Sequence, residues 1–178
     1  MTPHDPHVAV DCFVRSAAAV KSVDDAIRTL REYDADGTVD ELWMDRWPAE
    51  VRQTDEVSNG TVLTQYGRLR RWSDDNGVSL EPAFTRRERT TLVGDESDTF
   101  LRLPVLCLAI HVDGEFVGVA PHSTETGVYT VTDALTDIDT LSRDGDPADV
   151  PEFSLSPPVR TATTQSDGPE REERSTKP

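Results

Sequence analysis

The sequence predicts an α+β fold: a mixed sheet of five to six strands, opened by a βαβ unit and continued by an αβββ meander, with the helices mainly on one face. Three observations carry this expectation. Residues 105–112 form the longest apolar run, and they meet Asp113-Gly114 and then a second β-rich run, residues 115–120. Asp-Gly between two such runs is a strong hairpin signal, because a type I′ turn needs positive φ at both central residues. Residues 22–34 and 61–76 carry apolar side chains at helical spacing. Finally, Leu106, Leu108, Ile110 and Val112 alternate with Val105, Cys107 and Ala109. Both sets are apolar, so this strand is expected to be central and covered on both sides.

In chain order, residues 1–7 hold two prolines and two histidines and read as a flexible start. Val8, Val10, Cys12 and Val14 alternate with their neighbours as in a strand. Ser22-Val23-Asp24-Asp25 reads as a helix entry, with Ser22 as N-cap and Asp25 in the capping-box position. Val23, Ile27 and Leu30 give that helix one apolar face, and Gly37 is a natural residue to end it. Residues 38–47 follow as a second strand closed by Pro48, parallel to the first across a right-handed crossover.

After a polar connection, residues 49–60, the second helix places Val62, Tyr66 and Leu69 on one face and ends at Gly77. Residues 83–93 read as a long strand, 94–98 as a turn and 99–103 as the return strand. Pro104 cannot donate to a ladder and interrupts pairing there. In the hairpin, a two-residue loop sets Val112 opposite Glu115, Ile110 opposite Val117 and Leu108 opposite Val119. Residues 128–131 form a short strand, and Thr132 caps a last helix through Leu135, Ile138 and Leu141.

Residues 1–142 are therefore expected to be a single α+β domain. Residues 143–178 hold six of the twelve prolines and no Trp, Tyr, Ile, Met or Cys. A segment with so little to bury cannot offset the entropy of ordering, so an acidic, Pro-rich disordered tail is expected.

The net charge is −16, from 34 acidic and 18 basic residues, and sixteen of the basic residues are Arg against two Lys. An acidic surface with almost no Lys resembles the proteins of salt-loving archaea, which stay soluble in concentrated salt because the repulsion between carboxylates is screened. The screening length falls from about 10 Å at 0.1 M salt to about 3 Å at 1 M. The melting temperature is accordingly expected to rise steeply between about 0.1 M and about 2 M KCl, and a melting curve indifferent to salt would refute that account of the charge. No apolar run approaches the ~18 residues of a membrane helix and no signal peptide is visible. The expected location is cytoplasmic, with no membrane partner, and Cys12 and Cys107 are expected to be free, buried thiols.

Motifs for chemistry are missing. The four histidines, at positions 4, 7, 111 and 122, have no metal-ligand spacing, and neither cysteine has a near partner. A Walker phosphate loop, Gly-x-Gly-x-x-Gly and Gly-x-Ser-x-Gly are absent. The expectation is therefore no enzyme, no cofactor and no metal. The basic residues are more informative: Arg68, Arg70, Arg71, Arg86, Arg87 and Arg89 all lie within 22 positions. Guanidinium groups present planar, multi-donor forks suited to phosphate, so these six are the candidate anion or nucleic-acid-binding residues. The plain alternative is that they pair with surrounding carboxylates such as Glu88.

The segments Val10-Asp11-Cys12-Phe13-Val14-Arg15-Ser16, Leu80-Glu81-Pro82-Ala83-Phe84-Thr85-Arg86-Arg87-Glu88-Arg89 and residues 103–121 resemble a family of small proteins from halophilic archaea that carries a helix-turn-helix label. The resemblance covers roughly residues 8–140 and implies a DNA-binding regulatory module. It transfers no catalytic motif. The alternative role is a homo-oligomeric interaction module without nucleic-acid binding. It rests on the hairpin's second apolar face: Cys107 and Ala109, with Trp43 or Trp47, would remain exposed and favour a homodimer through the sheet.

Overall fold

The computed structural model describes residues 5–16, 20–90 and 97–144. The chain opens with strand β1 (Val8–Arg15), helix α1 (Lys21–Asp36) and strand β2 (Glu41–Trp47), followed by β3 (Glu50–Arg52) and α2 (Glu56–Asn76). Then come β4 (Thr85–Thr90), β5 (Ser97–Arg102), β6 (Leu106–Val112), β7 (Glu115–Ala120), the short strands β8 (His122–Ser123) and β9 (Val128–Tyr129), and α3 (Val131–Asp144).

The α+β class holds, with β1 and β2 parallel across α1 and the hairpin antiparallel. The strands do not share one sheet, however. Four form the order β2-β1-β6-β7, three form β3-β5-β4, and β8 pairs with β9. The split occurs at Pro48 and Pro104, neither of which can donate to a ladder. Between them the chain leaves the four-stranded sheet after Trp47 and re-enters it at Leu106.

Helix ends follow local chemistry. Gly37 and Gly77 close α1 and α2 with φ of 82° and 66°, a conformation that suits glycine. Ser22 is not the cap of α1: extended Val20 precedes the helix and gives no side-chain cap. The second helix starts earlier than residue 61, because the Asp55 side chain accepts the Ser58 N–H at 3.2 Å and the helix runs on through Gly60. A good cap offsets the ~1 kcal/mol that an interior glycine costs. In α3 the cap is Thr130 instead of Thr132. Its hydroxyl accepts the Asp133 N–H while the Asp133 carboxylate accepts the Thr130 N–H at 2.8 Å, a capping box with Asp in the Glu position. The Thr130 hydroxyl also donates to that carboxylate at 2.6 Å, and this bond, together with the one from the Thr130 N–H, holds the Asp133 carboxyl below the usual carboxylate range.

The hairpin turn forms at Asp113 and Gly114, with φ of 52° and 84°. Val112 faces Glu115 as expected, but Ile110 faces Gly118 and Leu108 faces Ala120. One extra residue, Val117, is accommodated as a bulge beside Ile110 and His111. Such a bulge shifts the alternation by one. It turns Val119 onto the same side as Ala109 and leaves Val117 against the opposite core.

Two cores result. One side of the four-stranded sheet, with Leu106, Leu108, Ile110 and Val112, packs on Val23, Ala26 and Leu30 of α1 and on Ala134, Ile138 and Leu141 of α3. Val105 also packs on this side, not with Cys107. The other side, with Phe13, Cys107, Ala109 and Val119, packs on Leu69 and Trp72 of α2, on Val51 and Leu101 of the small sheet, and on Leu103 just beyond it. The helices therefore cover both faces, α1 and α3 on one and α2 on the other. Of the residues expected as an exposed patch, Cys107, Ala109 and Trp47 are 0%, 3% and 2% exposed, whereas Trp43 is 66% exposed. The small sheet supplies the cover that two helices could not, so the face from which a homodimer was expected is filled within the chain. Burial pushes the Cys12 thiol up to about 12 and raises Cys107 as well, leaving both unreactive at neutral pH.

The expected tail, residues 145–178, and residues 91–96 of the expected long strand and turn lie outside the described residues. Residues 143 and 144, placed with the tail, form the last turn of α3, where Arg143 pairs with Asp139 at 3.0 Å.

Candidate nucleic-acid interface

Antiparallel pairing places Arg52 opposite Phe100 and Phe100 opposite Arg87; the adjoining rows are Glu50, Arg102 and Thr85 on one side and Asp98 with Arg89 on the other. Val51 and Leu101 point into the second core. Strand alternation then turns Arg52, Arg87, Arg89, Arg102 and Phe100 outward together. With strands ~4.8 Å apart, the three-stranded face is about 10 Å wide.

Phe100 organises its centre. The guanidinium of Arg89 lies 4.8 Å from its ring centroid and that of Arg52 5.5 Å away, a range in which the ring quadrupole attracts a cation. Arg89 also pairs with Glu50 through two N–O contacts, at 3.0 and 3.1 Å, and Arg52 with Asp98 at 3.2 Å. In both pairs the carboxylate is the more covered partner: Glu50 and Asp98 side chains are 25% and 26% exposed, against 57% and 50% for Arg89 and Arg52. The guanidiniums thus stand outermost. Such exposed pairs contribute at most about 1 kcal/mol each, so their arginines stay available to another anion. Arg87 and Arg102 are exposed and form no ion pair among the described residues. Four arginines against two carboxylates make this face locally positive in a chain of −16.

The six arginines singled out from sequence divide three ways. Arg87 and Arg89 stand on this face. Arg86, on the opposite side of β4, lines a cleft with Arg70 that also holds Asp74 and Glu81, and Arg70 pairs with Asp74 at 3.8 Å. Arg68 bonds Gln65 and lies 6.0 Å from the Phe116 ring, towards β7, and Arg71 is exposed on α2. Arg52, Arg102 and Phe100 were missed, because they are distant in sequence and only strand pairing gathers them. The expected turn, residues 94–98, would have set Arg102 opposite Thr90, whereas the observed register sets it opposite Thr85.

Among the described residues no two helices are joined by a short turn. Strands β2 and β3 separate α1 from α2, and β4 to β9 separate α2 from α3. Helix α1 packs against α3 across the first core. Nor do the described residues include three or more His, Cys, Asp or Glu placed to hold a metal ion. His7 is exposed near Glu41. His111 stacks on Phe116, and burial lowers its pKa. His122 is buried against Trp72 and Tyr129, with Nδ1 on the Val119 carbonyl. No helix among the described residues is long and apolar enough to cross a membrane.

Compared with known proteins, residues 2–143 match a family described as Helix-turn-helix domain. No curated protein and no solved structure matches the chain.

Proposed function

The chain belongs to the Helix-turn-helix domain family, and on that premise we propose that it is a non-enzymatic, cytoplasmic regulatory protein that binds DNA through the arginine face of its small sheet. The observation that carries this reading is the concentration of Arg52, Arg87, Arg89 and Arg102 around Phe100 on a chain of −16. Electrostatic complementarity then orients the molecule, since on this face the arginines stand outside the two carboxylates. Flat sheets carrying Arg engage phosphates first, and such contacts position the protein without reading sequence.

The test is fluorescence anisotropy on a labelled duplex across about 0.05–0.5 M KCl. Four phosphate-contacting arginines give a slope of log K against log salt of about −2 to −4. Arg87→Ala is expected to flatten that slope by about 1 and to weaken every duplex alike, while Arg46→Gln, on the far edge strand β2, leaves binding unchanged. Absence of binding at the lowest salt, or wild-type binding by Arg87→Ala, would refute the assignment. A homo-oligomeric role is the second reading. Its support is now the outer edge of β2, where Trp43 and Met44 are 66% and 40% exposed.

A further inference from the structure

A cleft of about 530 Å³ opens between the end of β1, the first turns of α1 and α3, and the Arg102 row of the small sheet. Its size falls within the range of small-molecule sites. Val23, Leu106 and Val131 supply apolar wall, and the ionisable residues lining it are Arg15 and Arg102. No carboxylate is among its fifteen lining residues, although 34 of 178 residues in the chain are acidic. The contrast with the neighbouring clefts is direct: one contains Asp133 and Asp137, another Asp74 and Glu81, a third Asp11 and Asp45.

Neither arginine of the cleft has an ion-pair partner among the described residues. Arg15 is partly buried. It donates from Nη2 to the Leu103 carbonyl, and its Nε–H is buried with no acceptor. A partly buried guanidinium without a counter-charge is costly, and an anion in the cleft would supply that charge. Thr132 stands at the exposed rim, in the first turn of α3. The N-terminal ends of α1 and α3 carry dipole potential of the same sign as the two arginines, offset by Asp24 and Asp133 in their first turns.

We propose that this cleft binds a small organic acid, with its carboxylate held between Arg15 and Arg102 and its apolar body against Val23, Leu106 and Val131. The guanidinium fork matches a carboxylate in plane and spacing, and the wall suits a short alkyl or aryl group. The site shares Arg102 and Thr85 with the small sheet's outer rows, is otherwise separate from them, and does not depend on whether DNA is bound.

Calorimetric titration of the full chain with octanoate, and in parallel with octan-1-ol, tests the assignment. Octanoate is expected to saturate one site, with octanol at least about tenfold weaker because it lacks the charge-assisted bonds. Arg102→Gln, an exposed position, should weaken octanoate by about tenfold or more. Thr132→Trp should block the cleft, and Arg46→Gln should bind as wild type. Circular dichroism of each variant confirms the fold. Equal affinity for octanol, undiminished binding by Arg102→Gln or Thr132→Trp, or no octanoate heat at all would each overturn the proposal.

Discussion

Replacing Trp47 by alanine is expected to destabilise the fold by about 4 kcal/mol and to lower the melting temperature by roughly 10–20 °C. Trp47 ends β2, where the chain crosses from the four-stranded sheet to the small one, and it is 2% exposed. Its ring stacks on Phe13 at 5.1 Å and meets Phe84 edge-on at 5.8 Å. Its Nε1–H donates to the Pro104 carbonyl at 3.0 Å, at the second point where the chain passes between sheets. Alanine would open a cavity between the layers and leave that buried carbonyl without its donor, which accounts for about 1–3 kcal/mol of that loss. Trp47→Phe keeps most of the stacking and should lose only about 1–2 kcal/mol. Urea denaturation of both variants measures the difference, and a loss below about 1 kcal/mol for Trp47→Ala would mean that the two layers are not joined here.

Ala109→Asp is expected to unfold the chain at pH 7. Ala109 lies in β6, 3% exposed, against the second core, and Asp11 of β1 is its direct cross-strand partner. The introduced carboxylate would lose its hydration and face a like charge, a cost of several kcal/mol in a domain whose whole stability is about 5–15 kcal/mol. Burial raises the folded pKa of that carboxyl above its unfolded value of about 3.9. The charge penalty is therefore absent below about pH 3.9, grows as pH rises between the two pKa values and is complete above the folded one. Circular dichroism across that range should show structure lost as pH increases, over and above the pH response of the wild type. A folded, merely monomeric Ala109→Asp at pH 7 would instead place this face at a subunit interface.

The βαβ opening, the hairpin and the three helices were legible because each is written in local chemistry. The 2.0 and 3.6 periods, Asp113-Gly114, Gly37 and Gly77 act within a few residues of themselves. Several boundaries were misread for the opposite reason. Ser22, Thr132 and residue 61 are plausible helix starts by composition, but Val20 occupies the start of α1, and Thr130 with Asp133 and Asp55 with Ser58 make the bonds that close the other two entries. The Val117 bulge was invisible, since a two-residue turn fixes register only for the first pairs beyond it; the need to turn Val119 towards the second core sets the rest.

By itself, then, the sequence determined the class of fold, the identity of its central strand and the presence of an arginine-rich region, because backbone preference and side-chain period are properties of adjacent residues. Tertiary structure decided how that strand is covered and which arginines meet. Both faces of β6 had to be buried. Two prolines broke the sheet, so the detached strands β3, β5 and β4 closed over Cys107 and Ala109. That closure turned Arg52 and Arg102 outward beside Arg87 and Arg89 and left Arg68 and Arg86 elsewhere. Such a gathering depends on pairing between strands distant in the chain, and no local pattern records it.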